Sequence, residues 1–318
     1  MFDHLIVPLD GSSLAECVLP HAVALAQPFE SRITLLRAVR GPAGDSASKA
    51  TDPLGWQMRR AEARAYLDDV VARLQEIEVN ADREMLEGEA AEQIVQFGRD
   101  EGADLIILSS HGRSGLSQWN VSSVVQKVIL RAYMPVMIVR AYQPVTGDLG
   151  GLSYNRVLVP LDGSQRAEFI LPLATTLAGY HQCPLLLAYV VSKPEVPRRA
   201  PLTEEEARLV EQLTESNRRK GEQYLEDLRV RLDIEVETAL EVSENAAESL
   251  HQLVEERDVD LVLLSAHGYS ARKRWPYGGV ALNFIAYGTT PLLILQDLPG
   301  EEMDVTEAEK VARETKGH

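Results

Sequence analysis

Two short polar loops, each written twice, hold the residues of this chain best suited to chemistry. The first reads PLDGS and sets Asp10 two residues before Ser12, then Asp162 two before Ser164. The second reads SSHG at 109–112 and SAHG at 265–268, so that His111 and His267 each stand beside a glycine. A carboxylate, a hydroxyl, an imidazole and a backbone that permits close approach are the groups that hold a hydroxylated or phosphorylated small molecule. Bland roles compete with that reading. Asp10 and Asp162 equally suit ordering a turn, and the two histidines suit bracing the loop better than acid–base work. Other phosphate and nucleophile signatures are absent. No G-x-G triplet occurs, nor G-x-x-x-x-G-K-[ST], nor G-x-S-x-G. The two cysteines, Cys17 and Cys183, have no Cys or His at ligand spacing and read as buried thiols.

The elements that must carry these loops repeat as well. Residues 7–26 and 159–178 match at 13 of 20 positions with an offset of 152. ADLIILSSHGRSG (103–115) matches VDLVLLSAHGYSA (259–271), and MPVMIVR (134–140) matches TPLLILQ (290–296), both at an offset of 156. Three matched blocks in one order indicate a duplicated unit of about 150 residues. The predicted order in the first unit is a strand at 4–9, a helix over 13–27 and a strand at 32–39. A helix near 56–77, a short strand near 81–88 and a helix near 90–99 follow. Strands at 104–110 and 135–140 flank a last helix over 122–131. Strands apolar throughout, rather than alternating, imply burial on both faces. The fold class is therefore α/β: two tandem doubly wound domains, Rossmann-like or flavodoxin-like, each a five-stranded mostly parallel sheet with helices on both faces. The expected boundaries are 1–143 and 154–297 for the domains, 144–153 for a linker and 298–318 for an acidic tail. Pro20 and Pro172 fall inside the predicted first helices, where each should produce a bend. Thr203 with Glu206 has capping-box spacing, as has Thr306 with Glu309 in the tail.

In such sheets ligands bind beyond the carboxyl ends of the strands, where strand order reverses. The two loops leave the first and fourth strands of each half. If those strands are neighbours, each half has one crevice with an Asp, a Ser, a His and a Gly.

A net charge of −16 argues against nucleic-acid binding, because affinity for a phosphate backbone comes from Lys and Arg. No apolar run approaches the roughly 18 residues of a membrane span. The first residues carry no basic segment ahead of an apolar run, so a cytoplasmic protein is expected.

The loop from Ser109 onward gives the chain a more specific likeness. It resembles the universal stress protein family, in tandem form, over nearly all its length to about Gln296. That family's adenine-nucleotide loop, G-x2-G-x9-G-[ST], falls here on Ser109, Gly112, Ser122 and Ser123, and again on Ser265, Gly268, Gly278 and Gly279. The spacing survives in both copies, while three of six glycines are serine. The segment Arg272–Arg274 lies inside the second loop as a candidate electrostatic substitute, though such a run is more often a solvated face. The resemblance implies further contacts: Pro8, Leu9 and Asp10 with Pro160, Leu161 and Asp162 along one wall, and Val39 and Val190 at the adenine edge. It places Leu108, His111 and Val124 with Leu264, His267 and Val280 around the phosphate loop. It also implies ATP or AMP as ligand, with Mg2+ accompanying ATP, and a sensor or regulator of an unidentified protein. The last strands would join the halves as an internal pseudo-dimer, with a further homodimer left open. Two alternatives stand beside this: a regulatory scaffold with degenerate sites, and slow ATP hydrolysis. For the latter no lysine sits as in a P-loop and no paired carboxylates organise a metal, so efficient turnover is not expected.

Overall fold

The apolar strands of the two halves meet in one sheet, seen in a computed structural model that describes residues 1–40, 53–111, 121–141, 148–193, 203–269 and 276–296. In the first half these strands are β1 His4–Pro8, β2 Arg32–Val39, β3 Ala81–Glu87, β4 Leu105–Ser109 and β5 Val136–Val139. In the second they are β6 Val157–Leu161, β7 Leu185–Ser192, β8 Val236–Ser243, β9 Leu261–Ser265 and β10 Leu292–Leu295. Among the described residues the sheet order is β3-β2-β1-β4-β5-β10-β9-β6-β7-β8. Pairing is parallel within each half, and the single antiparallel pair among the described residues is β5 with β10, with Met137 opposite Leu293. The last strands of the two halves thus meet edge to edge.

Successive strand residues point to opposite faces, and both faces are covered. Leu5 and Val7 enter one core while Ile6 enters the other, and Ile107 and Leu108 divide in the same way. The helices sort accordingly. On one face lie α1 (Val18–Ala26), α2 (Pro53–Gln75), α6 (Leu171–His181) and α7 (Glu204–Arg231). On the other lie α3 (Ala90–Asp100), α4 (Ser123–Ala132), α8 (Ala246–Glu256) and α9 (Gly279–Tyr287). A one-turn helix, α5 (Gln165–Glu168), precedes α6. Truncating one of these fully buried leucines to alanine costs about 2–5 kcal/mol, which is why the central strands β1, β4, β5, β6, β9 and β10 are held largely to apolar types, while the edge strands β3 and β8 carry charged residues.

The two prolines do something other than bend a helix. In the first half a 3-10 turn (Ala15–Cys17) ends before α1 begins, and Pro20 falls in the first turn of α1. In the second half Pro172 is the second residue of α6. A first-turn residue has no partner for its N–H within the helix, so proline forfeits nothing there. Each proline marks a helix start, and the predicted single helix is two pieces.

Each long helix is tied to the turn after the first strand by matched residues. The Arg73 guanidinium donates to Glu16 at 2.9 Å, and Arg231 donates to Glu168 at 2.6 Å, with the Tyr224 hydroxyl also on Glu168 at 3.1 Å. The predicted capping box at α7 is present: the Glu206 N–H donates to the Thr203 hydroxyl at 3.3 Å, and the Thr203 N–H to Glu206 at 2.8 Å. Thr306, Glu309 and the rest of 298–318 lie outside the described residues.

Across the seam, the Tyr154 hydroxyl lies 2.9 Å from Nδ1 of His21, and the Tyr180 hydroxyl donates to Gln27 at 3.1 Å. Burial holds His21 down to about 4, against the opposing pull of the Asp260 carboxylate. Burial also pushes the thiols of Cys17 and Cys183 up to about 11, so both are neutral core groups.

Candidate functional site

Strand order reverses between β1 and β4 and between β6 and β9, and in each half these two strands are direct neighbours. The loops that leave their carboxyl ends therefore face one another, and a cavity opens between them. It measures about 450 Å³ in the first half and about 640 Å³ in the second. Either volume is in the range of a small-molecule site.

The first loop turns sharply at a glycine in the left-handed region, Gly11 with φ 75° and Gly163 with φ 80°. That turn folds the chain back over the preceding aspartate. Asp10 Oδ1 accepts from the Ser12 N–H at 2.9 Å and its hydroxyl at 2.6 Å, and Asp162 Oδ1 accepts from Ser164 at 3.0 and 2.6 Å. One carboxylate oxygen thus orders the turn. In the second half the other reaches the second loop, where Asp162 Oδ2 accepts from the Tyr269 N–H at 2.6 Å. The same oxygen passes so close to Gly268 that a Cβ there would stand 2.1 Å from it. At Gly268 a side chain would therefore have to displace the Asp162 carboxylate, while the backbone φ itself is unexceptional.

The serines that replace the first loop glycine turn their hydroxyls into the fold. Ser109 donates to the His111 carbonyl and reaches the Leu14 carbonyl at 3.4 Å, and Ser265 donates to the Ala167 carbonyl at 3.4 Å. Each fastens the start of the second loop to the turn after the first strand. His111 and His267 are both buried, and His111 Nδ1 lies 3.1 Å from the Ser110 hydroxyl, which in turn accepts from the Ala141 N–H at 3.0 Å. Such packing braces the loop.

The helix starts differ. The Ser122 N–H donates to Ser110 and the Gly278 N–H to Ala266, so both chains enter the helix from the same anchor. Ser122 then caps α4 with its own hydroxyl, which accepts from the Val125 N–H at 3.4 Å. Gly278 has no side chain to do this, and α9 begins uncapped against the cavity. Three N–H groups, those of Gly279, Val280 and Ala281, have no acceptor within α9, and they carry the positive end of the helix dipole. An added Cβ at Gly278 would meet only the Ala266 carbonyl oxygen at 3.4 Å and more distant backbone, so space alone does not demand glycine there.

The structure brings together in the first cavity Pro8, Leu9, Asp10, Leu108, Ser109, His111, Ser122, Ser123 and Val124. In the second it brings together Pro160, Leu161, Asp162, Val190, Leu264, Ser265, His267, Gly268, Gly278, Gly279 and Val280. Val39 is not among them. The ladders pair Pro8 with Leu36 and Pro160 with Ala188, so the position in the first half equivalent to Val190 is Ala38, which does line the first cavity. Gly112 and Arg272–Arg274 lie outside the described residues. Sequence reasoning missed the residues just before Ala38 and Val190, namely Arg37 in one half and Tyr189 in the other. The Arg37 guanidinium packs over Gly11 and the Tyr66 ring, whereas Tyr189 meets Tyr224 edge-on at 5.7 Å. The 152-residue offset was the signal for both. Asn217 and Lys220, supplied to the second cavity by α7, had no such signal.

Comparison with known proteins agrees with this geometry. The model of the universal stress protein family matches the chain twice, at residues 1–140 and 153–296. A universal stress protein of Thermus aquaticus is 30% identical over 145 residues, covering 44% of this chain and 100% of that protein. One from Methanocaldococcus jannaschii is 28% identical over 141 residues, covering 44% of this chain and 83% of its own length. Among solved structures, a putative universal stress protein of Pseudomonas aeruginosa superposes over 98% of both chains with a TM-score of 0.66 at 15% identity. One from Archaeoglobus fulgidus covers 92% of this chain and 98% of its own, with a TM-score of 0.64 at 17% identity. At these identities the superpositions speak for the fold.

Proposed function

This chain belongs to the universal stress protein family, and on that premise we propose that it binds an adenine nucleotide, ATP or AMP, in the crevice of its second half and acts as a sensor or regulator in the stress response. The observation that carries the reading is the uncapped start of α9, opening onto a 640 Å³ cavity at the point where strand order reverses. Backbone N–H groups at a helix start hold phosphate without any basic side chain, which suits a chain of net charge −16. The N–H groups of Gly279, Val280 and Ala281 would take the phosphates. Asp162 and the Gly268 backbone would meet the ribose, and Pro160 with Val190 would flank the base. Lys220 at the cavity wall adds one cation. Among the described residues no three His, Cys, Asp or Glu side chains gather to hold a metal, so Mg2+ brought by ATP would rest chiefly on the phosphates.

The first half is the weaker site in this reading. The Ser122 hydroxyl already occupies one N–H of the α4 start, and Arg37 stands where the second half has Tyr189. That asymmetry also favours a second reading for the first half alone, as a structural partner that holds no nucleotide.

Heat-denaturing the purified protein and chromatographing the supernatant tests the proposal. Adenine nucleotide should be released, and saturating ATP, at about 100 times Kd, should stabilise the native state by about 2.7 kcal/mol. Empty supernatant together with no thermal shift at millimolar ATP would overturn it.

A further inference from the structure

The start of α9 is set by a residue that reaches out of its own half. Tyr277, immediately before the helix cap Gly278, is buried, and its hydroxyl donates to the Ile129 carbonyl at 3.2 Å. Ile129 belongs to the last turn of α4, where carbonyls have no partner within the helix. At the other end of α9, Arg140, which follows β5, donates to the carbonyls of Phe284 at 2.7 Å and Ile285 at 3.2 Å. Helix α9 is therefore gripped at both ends by the first half.

The grip is not returned in kind. With the offset of 156, Ile285 corresponds to Ile129, so equivalent carbonyls at the ends of α9 and α4 each receive a bond across the seam. The donors differ. Val121 stands where the second half has Tyr277 and has no side-chain donor to offer, and Gln296 stands where the first half has Arg140. Gln296 donates to Pro276 within its own half, at 3.4 Å. Among the described residues, only the second crevice has its helix entry fastened to the other half by a side chain immediately before the cap.

We propose that Tyr277 is a positioning residue for anion binding at the start of α9, and that the second crevice is completed by the first half through the Tyr277–Ile129 bond. The inference rests on the phosphate-at-α9 reading given above. A hydroxyl anchored on another helix fixes where the Gly278 backbone enters α9, and hence where the three N–H groups point. Hydrogen-bond strength falls steeply with misalignment, so a small shift of that entry weakens every bond to a phosphate while leaving the apolar base pocket alone.

The test uses the full chain and Tyr277→Phe, which keeps the ring packing and removes the hydroxyl. ATP and adenosine are titrated calorimetrically, and amide hydrogen exchange is followed at Leu282 and Gln126. These two amides make the first intrahelical bonds of α9 and α4, to Gly278 and Ser122, each at 3.0 Å. Expected are an ATP Kd raised about tenfold, which is about 1.4 kcal/mol, and an unchanged adenosine Kd. Exchange at Leu282 should be several-fold faster, with Gln126 unmoved. Equal weakening of ATP and adenosine would mean that Tyr277 supports the fold only, and would overturn the inference. So would an unchanged Leu282 amide. Failure of the wild-type protein to bind ATP would remove the nucleotide reading, while the Leu282–Gln126 comparison would still decide whether Tyr277 sets the helix start.

Discussion

The two crevices share a backbone plan and differ in what occupies it. In both, a glycine turn folds an aspartate over a following serine, and a serine hydroxyl bolts the second loop to the first. At the helix start the first half has a serine that caps itself, and the second has a glycine that caps nothing. On the second strand of each half, the first cavity is lined by Arg37 and the second by Tyr189. A capped helix is a finished structural element, whereas an uncapped one facing a cavity leaves donors for a ligand. Duplication on one sheet lets one copy drift toward the first state while the other keeps the second.

The largest effect expected from breaking this contrast is at Gly268. A valine there would strike the Asp162 carboxylate that lies against it and spread the two loops. Gly268→Val should lower ATP affinity by about 100-fold or more, on the order of 3 kcal/mol, as read by calorimetry. Undiminished binding would place any nucleotide elsewhere than the second crevice.

Next in size is a difference at the seam. His21 is matched in the other half by Leu173, and its imidazole is held near 4 by burial. Because the folded-state value is depressed, the unfolded chain takes up the proton first, and stability is lost as pH falls from about 6.5 toward 4. At pH 4.5 the His21 contribution should be about 2–3 kcal/mol less than at pH 7. Urea melts of wild type and His21→Gln at the two pH values isolate it, since carboxylate titrations common to both proteins cancel. Identical pH dependence would show that His21 does not titrate in this window.

A smaller change exchanges the helix caps. Gly278→Ser gives α9 the cap that α4 has, with room for the side chain, and should weaken ATP about tenfold while gaining a few tenths of a kcal/mol in stability. Ser122→Gly should move the first half the other way, seen as a second, weak calorimetric site. If the exchange alters stability alone, the N-cap residue is not what distinguishes the crevices.

Much of this was legible in the sequence because the chain is written twice. A repeat shows which strands and loops correspond, and runs as apolar as those at 4–9, 104–110 and 135–140 sit in a sheet covered on both faces. The misplaced wall residues share one cause. Val39 was matched to Val190 by residue type, whereas the strand registers of the two halves make Ala38 the equivalent position. Arg37 against Tyr189 was lost in the same slip. Pro20 and Pro172 carried a correct signal for helix geometry, but a one-turn element ahead of each was invisible to periodicity over so few residues. Tyr277 could not have been singled out from local pattern, because its partner is 148 residues away in the chain.

The β5–β10 pair also sets a schedule for synthesis. A chain made from its N-terminus completes Val136–Val139 about 150 residues before its partner Leu292–Leu295 exists. At about 5–20 residues per second, the first half spends roughly 8–30 seconds with an unpaired edge of four apolar residues. An open apolar edge is a template for another nascent chain on the same message. Dilution cannot separate the finished halves, and the cost of that permanence falls on the ribosome, in the interval when the edge is most in need of a chaperone.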